Sequence, residues 1–201
     1  MILYLSIISV CALLIACFVS LAYGYGYFSM LGYTALAVVI VILIDGLVST
    51  VCRLLPKSCA DESKKIYAVG AKEKKFYEKL KIRLWKEKIP EIGHFTGFRK
   101  NKIADPKSVE YLNRFLLEAC YGELGHFFSV FAGFLLLLLF PLTDAWLAIS
   151  IPVSIINAIL NLPSLFILRY NSYKLRILRN SNLKKQAREK KAHDENNENP
   201  V

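Results

Sequence analysis

Apolar residues along this chain gather in long runs, not at alternate or every-third positions. Residues 2–22 and 31–51 are each one such run, and each has the roughly 20 residues that a helix needs to cross a bilayer. A third apolar region, 127–168, is too long for a single crossing and is interrupted by "PLTDAW" at residues 141–146. Pro141 has no N–H to continue a helix. The pattern therefore predicts a helical hairpin, broken at Pro141 and restarting near Asp144 or Ala145, for four transmembrane helices in all.

Between the second run and the hairpin the period changes. In "KEKKFYEKLKIRLWKEKIPEIGHF", residues 72–95, Phe76, Leu80 and Leu84 fall on one helical stripe with Tyr77, Trp85 and Ile89 beside it, and lysines take most other positions. Such a stripe predicts a basic amphipathic helix lying in the headgroup layer, or the same helix docked on the rest of the protein, with Pro90 and Gly93 ending it. In "RKNKIADPKSVEYLNRFLLEACYGELGH" the Asp105–Pro106 pair predicts a new helix start, with no strong breaker beyond Gly122 and Gly125 in this stretch, so one long helix is expected to run on towards Phe140. Residues 180–201 mix charges with Asn and Gln and show no apolar face, which predicts a disordered tail. The expected fold is an all-α integral membrane protein without internal repeats. Its segments are 1–52 (two transmembrane helices), 53–107 (basic segment with the interfacial helix), 108–179 (long helix and hairpin) and 180–201 (polar tail).

Charge orients this arrangement. The chain has 201 residues, 55% apolar, and a formal charge of +10; segregation reconciles the two. Residues 53–114 hold 17 Lys and Arg and residues 169–191 hold nine, whereas the loops 23–30 and 141–144 hold none. Short cytoplasmic segments collect basic residues. The expectation is a multi-pass cell-membrane protein with its N-terminus, basic central segment and C-terminal tail cytoplasmic and "YGYGYF" at the outer face. Membrane lipids, not nucleic acid, are the expected partners of the positive charge. The first run lacks a basic n-region and is long for a signal peptide, so it is expected to stay as an anchor. Five cysteines with no CxxC pair predict neither disulfides nor a zinc knuckle; Cys52 and Cys59 flank a span where palmitoylation occurs.

Ionisable groups at membrane depth carry the candidate chemistry. At 1.5 Å per residue, His126 and Glu123 lie about 21 and 26 Å from the Phe140 end of the hairpin, and Asn161 about 24 Å from Ala145. The same rise puts Glu118 and Arg169 about 33 and 36 Å down, and predicts that they pair. Pro163 frees the carbonyl of Ile159 near Asn161, and Asp45 is a further wall residue. Glu123 and His126 are spaced i,i+3 on one face. A carboxylate beside an imidazole fixes its tautomer and stabilises its protonated form, which prepares a general base. The expected catalytic set is His126 as base, Glu123 orienting it and Asn161 donating to an oxyanion. Interhelical hydrogen-bonding glue is the alternative reading of the same three residues. ExxH is also half of a di-iron motif, but no second copy occurs, and no metal is expected.

Three motifs, "KIRLWKEKIPEIG" (81–93), "FLLEACYGELGHF" (115–127) and "NLPSLFILRYNSYKLR" (161–176), resemble in order and spacing the glycosyl-4,4'-diaponeurosporenoate acyltransferase family, small membrane enzymes of the last step of staphyloxanthin synthesis. The resemblance covers about residues 77–179. It implies transfer of a fatty acyl group to a sugar hydroxyl of a glycosylated lipid, an O-acyltransferase with a glycolipid acceptor. An acyl-CoA or another acyl donor would be co-substrate, with no cofactor. Matching positions include Arg83, Trp85, Lys86, Glu118, Glu123, His126, Asn161, Arg169, Tyr170 and Asn171. Charge and depth suggest substrate-binding roles for seven of these: Glu118 and Arg169 bracing the site or meeting a donor phosphate, Tyr170 and Asn171 positioning headgroups, and Arg83, Trp85 and Lys86 docking the reaction to the interface. Ser172 and Tyr173 stand where family members tend to have Arg-Pro, so the acceptor is open between a glycosyl carotenoid and another glycolipid. Rival readings are a non-catalytic lipid-binding or assembly protein and a metal-dependent membrane enzyme. No oligomeric state is specified by the pattern.

Overall fold

The computed structural model describes residues 2–89, 103–139 and 142–198. Helices are the only regular structure among them, and four are long and apolar enough to cross a membrane. These are α1 (Ile2–Tyr23), α2 (Tyr27–Leu54), α5 (Val109–Ala132), which a 3-10 segment continues through Gly133–Leu138, and α6 (Trp146–Glu198). Two shorter helices, α3 (Ala71–Lys79) and α4 (Ile82–Trp85), lie between α2 and α5. Pro90, Gly93 and Pro141, expected to break helices, lie outside the described residues, but α6 restarts at Trp146, next to the expected position.

The α1–α2 reversal depends on Gly24, whose φ of +70° is open to a residue without a Cβ. The Ser20 hydroxyl donates to the Tyr25 carbonyl at 2.6 Å and closes the turn. At this end, the loop end, Ala16, Val19, Met30, Ala37, Val41, Leu136, Ile149 and Val153 form a core around the buried Trp146. Its indole N–H donates to the Leu136 carbonyl at 3.3 Å, so the ring both fills volume and satisfies a 3-10 segment that lacks full helical bonding.

At the opposite, basic end, the single amphipathic helix expected over residues 72–95 is replaced by α3, a break and α4. Lys81 adopts a left-handed conformation, φ 51° and ψ 39°, and the Trp85 indole donates to the Leu80 carbonyl at 2.9 Å across the break. Burial on α6 explains the bend. Tyr77 and Ile82 are buried against Ile167 and Tyr170, and an unbroken helix would put positions 77 and 82 about 140° apart at 100° per residue, on different faces. The docked version of this segment is therefore present; the expected stripe, Phe76, Leu80 and Leu84, faces outward.

Two other expectations are corrected. α5 starts at Val109 with Ser108 as N-cap, its hydroxyl oxygen accepting from the Tyr111 N–H at 3.1 Å. Asp105 instead organises the preceding turn by accepting from the N–H groups of Lys107 and Ser108. The tail expected to be disordered continues α6 to Glu198. Its Lys, Arg, Gln, Glu and Ala are strong helix formers added to a helix already nucleated upstream, so propagation needs no apolar face.

Candidate functional site

Side chains from α2, α5 and α6 converge midway down the bundle. Asn157 and Asn161 are one turn apart on α6 and share a face. The Asn161 amide nitrogen donates to Asp45 Oδ2 at 2.9 Å and to the Asn157 carbonyl at 3.1 Å. Asn157 Nδ2 in turn donates to Asp45 Oδ1 at 3.3 Å and to the Ser129 carbonyl at 3.2 Å. On the other side of Asn161, Oδ1 lies 2.9 Å from His126 Nδ1. The tautomer follows from this chain. Asp45 accepts, so Asn161 must present N–H to it and oxygen to the imidazole; Nδ1 then carries the proton and the lone pair is on Nε2.

Sequence depth brought His126 and Asn161 to one level, and there they meet. The expected Glu123–His126 dyad does not form, since the two Glu123 oxygens go to other partners. Oε1 accepts from the Ser172 hydroxyl at 2.9 Å and Oε2 from Arg169 Nη1 at 3.1 Å. Nor is Asn161 an oxyanion donor, because its amide hydrogens are engaged by Asp45 and Asn157. The carboxylate aligned behind His126 is that of Asp45, acting through Asn161. Asn157 was missed, although an amide one turn from Asn161 in an apolar run was the available sign.

A second layer lies below, centred on Arg169. Its Nε and Nη2 donate to the two oxygens of Glu73 on α3 at 2.5 and 3.0 Å. Nη1 also donates to the Ile66 carbonyl at 3.0 Å and Nη2 to the Ala68 carbonyl at 3.4 Å. With the Glu123 bond, all five N–H groups of the guanidinium are used. Arg169 therefore fastens α3 and the loop before it to α6, and is not available to a donor phosphate. Burial opposes ionisation of Glu73, but hydrogen bonds from Arg169 and Tyr77 outweigh it and hold its carboxyl below the usual range. Burial, and then the bond to Glu73, push the Tyr77 phenol up.

Glu118 was expected to pair with Arg169 and instead lies 3.6 Å from Arg53 of α2. The guanidinium had nearer carboxylates, in Glu73 and Glu123, than a helix-rise count on α5 and α6 could reveal. Lys86 approaches Asn171 Oδ1 at 3.4 Å, and the Tyr170 ring, buried beside Tyr77, lies 4.4 Å under Lys174 Nζ. Trp85 packs into the same cluster, and Arg83 is exposed. Two hollows open on the bundle. An open cleft of about 400 Å³ at the basic end is lined by Lys57, Asp61, Glu62, Asn113 and Arg179. A narrow apolar groove between α1, α2 and α6, including Ala12, Val41, Val153 and Leu160, reaches Asn157. Among the described residues no three His, Cys, Asp or Glu side chains converge as metal ligands would.

The model of the glycosyl-4,4'-diaponeurosporenoate acyltransferase family matches residues 62–181, more than half of the chain. The chain belongs to this family. The glycosyl-4,4'-diaponeurosporenoate acyltransferase match takes in Glu73, Glu123, His126, Asn157, Asn161, Arg169 and Ser172, hence most of both polar layers. Asp45 lies before it, on α2. No curated protein and no solved structure matches the chain.

Proposed function

We propose that the protein is a membrane O-acyltransferase that moves a fatty acyl group from a thioester donor such as acyl-CoA to a sugar hydroxyl of a glycosylated lipid. The observation that carries the reading is the Asp45–Asn161–His126 chain. His126 Nε2 removes the proton from the acceptor hydroxyl as its oxygen attacks the acyl carbonyl. The tetrahedral intermediate then collapses, the C–S bond breaks, and the imidazolium returns its proton to the departing sulfur. Asn161 holds the ring in the Nδ1–H tautomer; the Asn of Cys-His-Asn proteases likewise orients its imidazole, through the other ring nitrogen. Asp45 orients Asn161 and polarises its amide towards the imidazole. An alcohol is a weak nucleophile at neutral pH, and base assistance of this kind contributes about 10²–10⁴-fold.

The surroundings support lipid substrates. The chain of bonds joins three of the four helices that are long and apolar enough to cross a membrane, and an apolar groove open between α1, α2 and α6 reaches Asn157. The basic end faces the cytoplasm in this reading, because Lys and Arg concentrate there, and a thioester carrier bearing phosphates would approach from that side. Tyr170, Asn171 and Lys86 border the headgroup level, whereas Glu123 and Arg169 act as the brace beneath the base.

The test is turnover by purified protein with an acyl-CoA and a glucosyl lipid, read by mass spectrometry as acceptor gaining one acyl residue. His126→Ala and Asn161→Ala should abolish product in protein that still folds. Wild-type turnover by His126→Ala would reject the assignment.

A further inference from the structure

The break between α3 and α4 leaves a surface that the bundle does not use. Turning at Lys81 buries Tyr77 (3% exposed) and Ile82 on α6 and leaves Phe76 47%, Leu80 37% and Leu84 72% exposed. From residue 71 to residue 88 there are eight basic and three acidic side chains, a balance of +5. Two of the acids are already engaged, Glu73 by Arg169 and Glu78 by Lys74, while Lys72, Lys75, Lys79, Lys81, Arg83 and Lys88 are exposed.

The depth of this surface follows from what it touches. Phe76 packs edge-on against Phe166 of α6 at 5.8 Å. Phe166 lies twenty residues along the helix from Trp146, about 30 Å at 1.5 Å per residue, which is the thickness of a bilayer's hydrocarbon core. Leu80 and Leu84, exposed on the same segment as six exposed basic side chains, therefore fall where hydrocarbon gives way to headgroups. Water would leave the apolar row unsatisfied, and an acidic protein would meet the lysines but not the leucines.

We propose that the α3–α4 pair is an anionic-lipid docking surface, seating Leu80 and Leu84 at the hydrocarbon edge and its lysines among acidic headgroups. The lipid belongs to the same leaflet that the four long helices enter at their basic end. The inference takes the membrane crossing from the proposed function but does not depend on acyl transfer. Docking held by Glu73 and Arg169 fixes the angle at which α3 meets the surface.

The experiment places one tryptophan at Leu84 or, as control, at Lys79, in protein carrying Trp85→Phe and Trp146→Phe, reconstituted in nanodiscs. Quenching by lipids brominated in the acyl chain is compared with quenching by acrylamide. Leu84→Trp should be quenched by bromolipid at least about twofold more than Lys79→Trp, with the order reversed for acrylamide. Exchanging phosphatidylglycerol for phosphatidylcholine, or Lys75, Lys79 and Lys81 for Gln in the Leu84→Trp protein, should reduce the bromolipid quenching. Quenching by acrylamide alone would place the surface in water, and protection from both quenchers would place it against protein; either overturns the proposal. Leu80→Trp in the same background gives the same comparison where Leu84→Trp disturbs folding. His126→Ala should leave every value unchanged, which separates a failure of this inference from a failure of the acyltransferase reading.

Discussion

Replacing Arg169 by methionine keeps the bulk of the side chain and removes its charge, leaving two carboxylates without their cation. Their situations differ. Glu73 is 28% exposed and gains water, whereas Glu123 is 3% exposed and keeps only the Ser172 hydroxyl. Leaving one partner of a buried pair unmatched costs about 3–5 kcal/mol, and Glu123 is the source of most of it here. Glu123→Gln alone should cost about 1–2 kcal/mol, because Arg169 keeps Glu73 and two carbonyls while the new amide keeps Ser172. With the buried carboxylate gone, Arg169→Met should lose about 2 kcal/mol or more of its effect, a coupling that a double-mutant cycle measures directly. The assay is equilibrium unfolding in mixed detergent with rising dodecyl sulfate, followed by helical circular dichroism. Equal costs of Arg169→Met in the wild-type and Glu123→Gln backgrounds would refute the reasoning.

Asp45→Asn should lower kcat by roughly 10–100-fold with KM little changed, since it acts on the base through Asn161 and not on substrate; a change confined to KM would remove that role. Gly133→Ala should lower turnover as well, because the added Cβ would lie 2.7 Å from Asn157 Nδ2. Gly46→Ala, with nothing within 4 Å, should be silent in the same turnover assay. Glu73 has a depressed folded-state pKa, so its contribution is present above the ordinary Glu value of about 4.3 and is lost as pH falls through the lower folded value. Hydrogen exchange should therefore show α3 loosening in that acidic window, and Glu73→Gln should abolish the pH dependence.

The long elements were legible because span length and apolar run length are the same quantity read twice. Depth was legible too, since helix rise is constant, and His126 and Asn161 met as counted. Rotation about the helix axes was not. Glu123 and His126 share a face of α5, but only the packing of α6 decides that Ser172 and Arg169 reach the carboxylate first. Asp45, expected in the wall of the site, is there, bonded to Asn157 and Asn161; that it aligns behind the imidazole depends on the rotation of α2, which no count along the chain contains. The Lys81 break carries no Gly or Pro, and it follows from burying Tyr77 and Ile82 together, a demand made by α6. Polar composition alone predicts disorder for the tail, whereas a helix already nucleated upstream needs only good formers to continue to Glu198.

The partners of Arg169 are synthesised long before it. Glu73 precedes it by 96 residues, Ala68 by 101 and Ile66 by 103. At ribosomal speeds of about 5–20 residues per second, the earlier half of the fastening waits roughly 5–20 s for its guanidinium. Throughout that interval α1 and α2 are complete while α3 is unsecured. A nascent chain halted before residue 169 thus exposes a protease-sensitive hinge, and arrival of the final helix converts it into a sealed one.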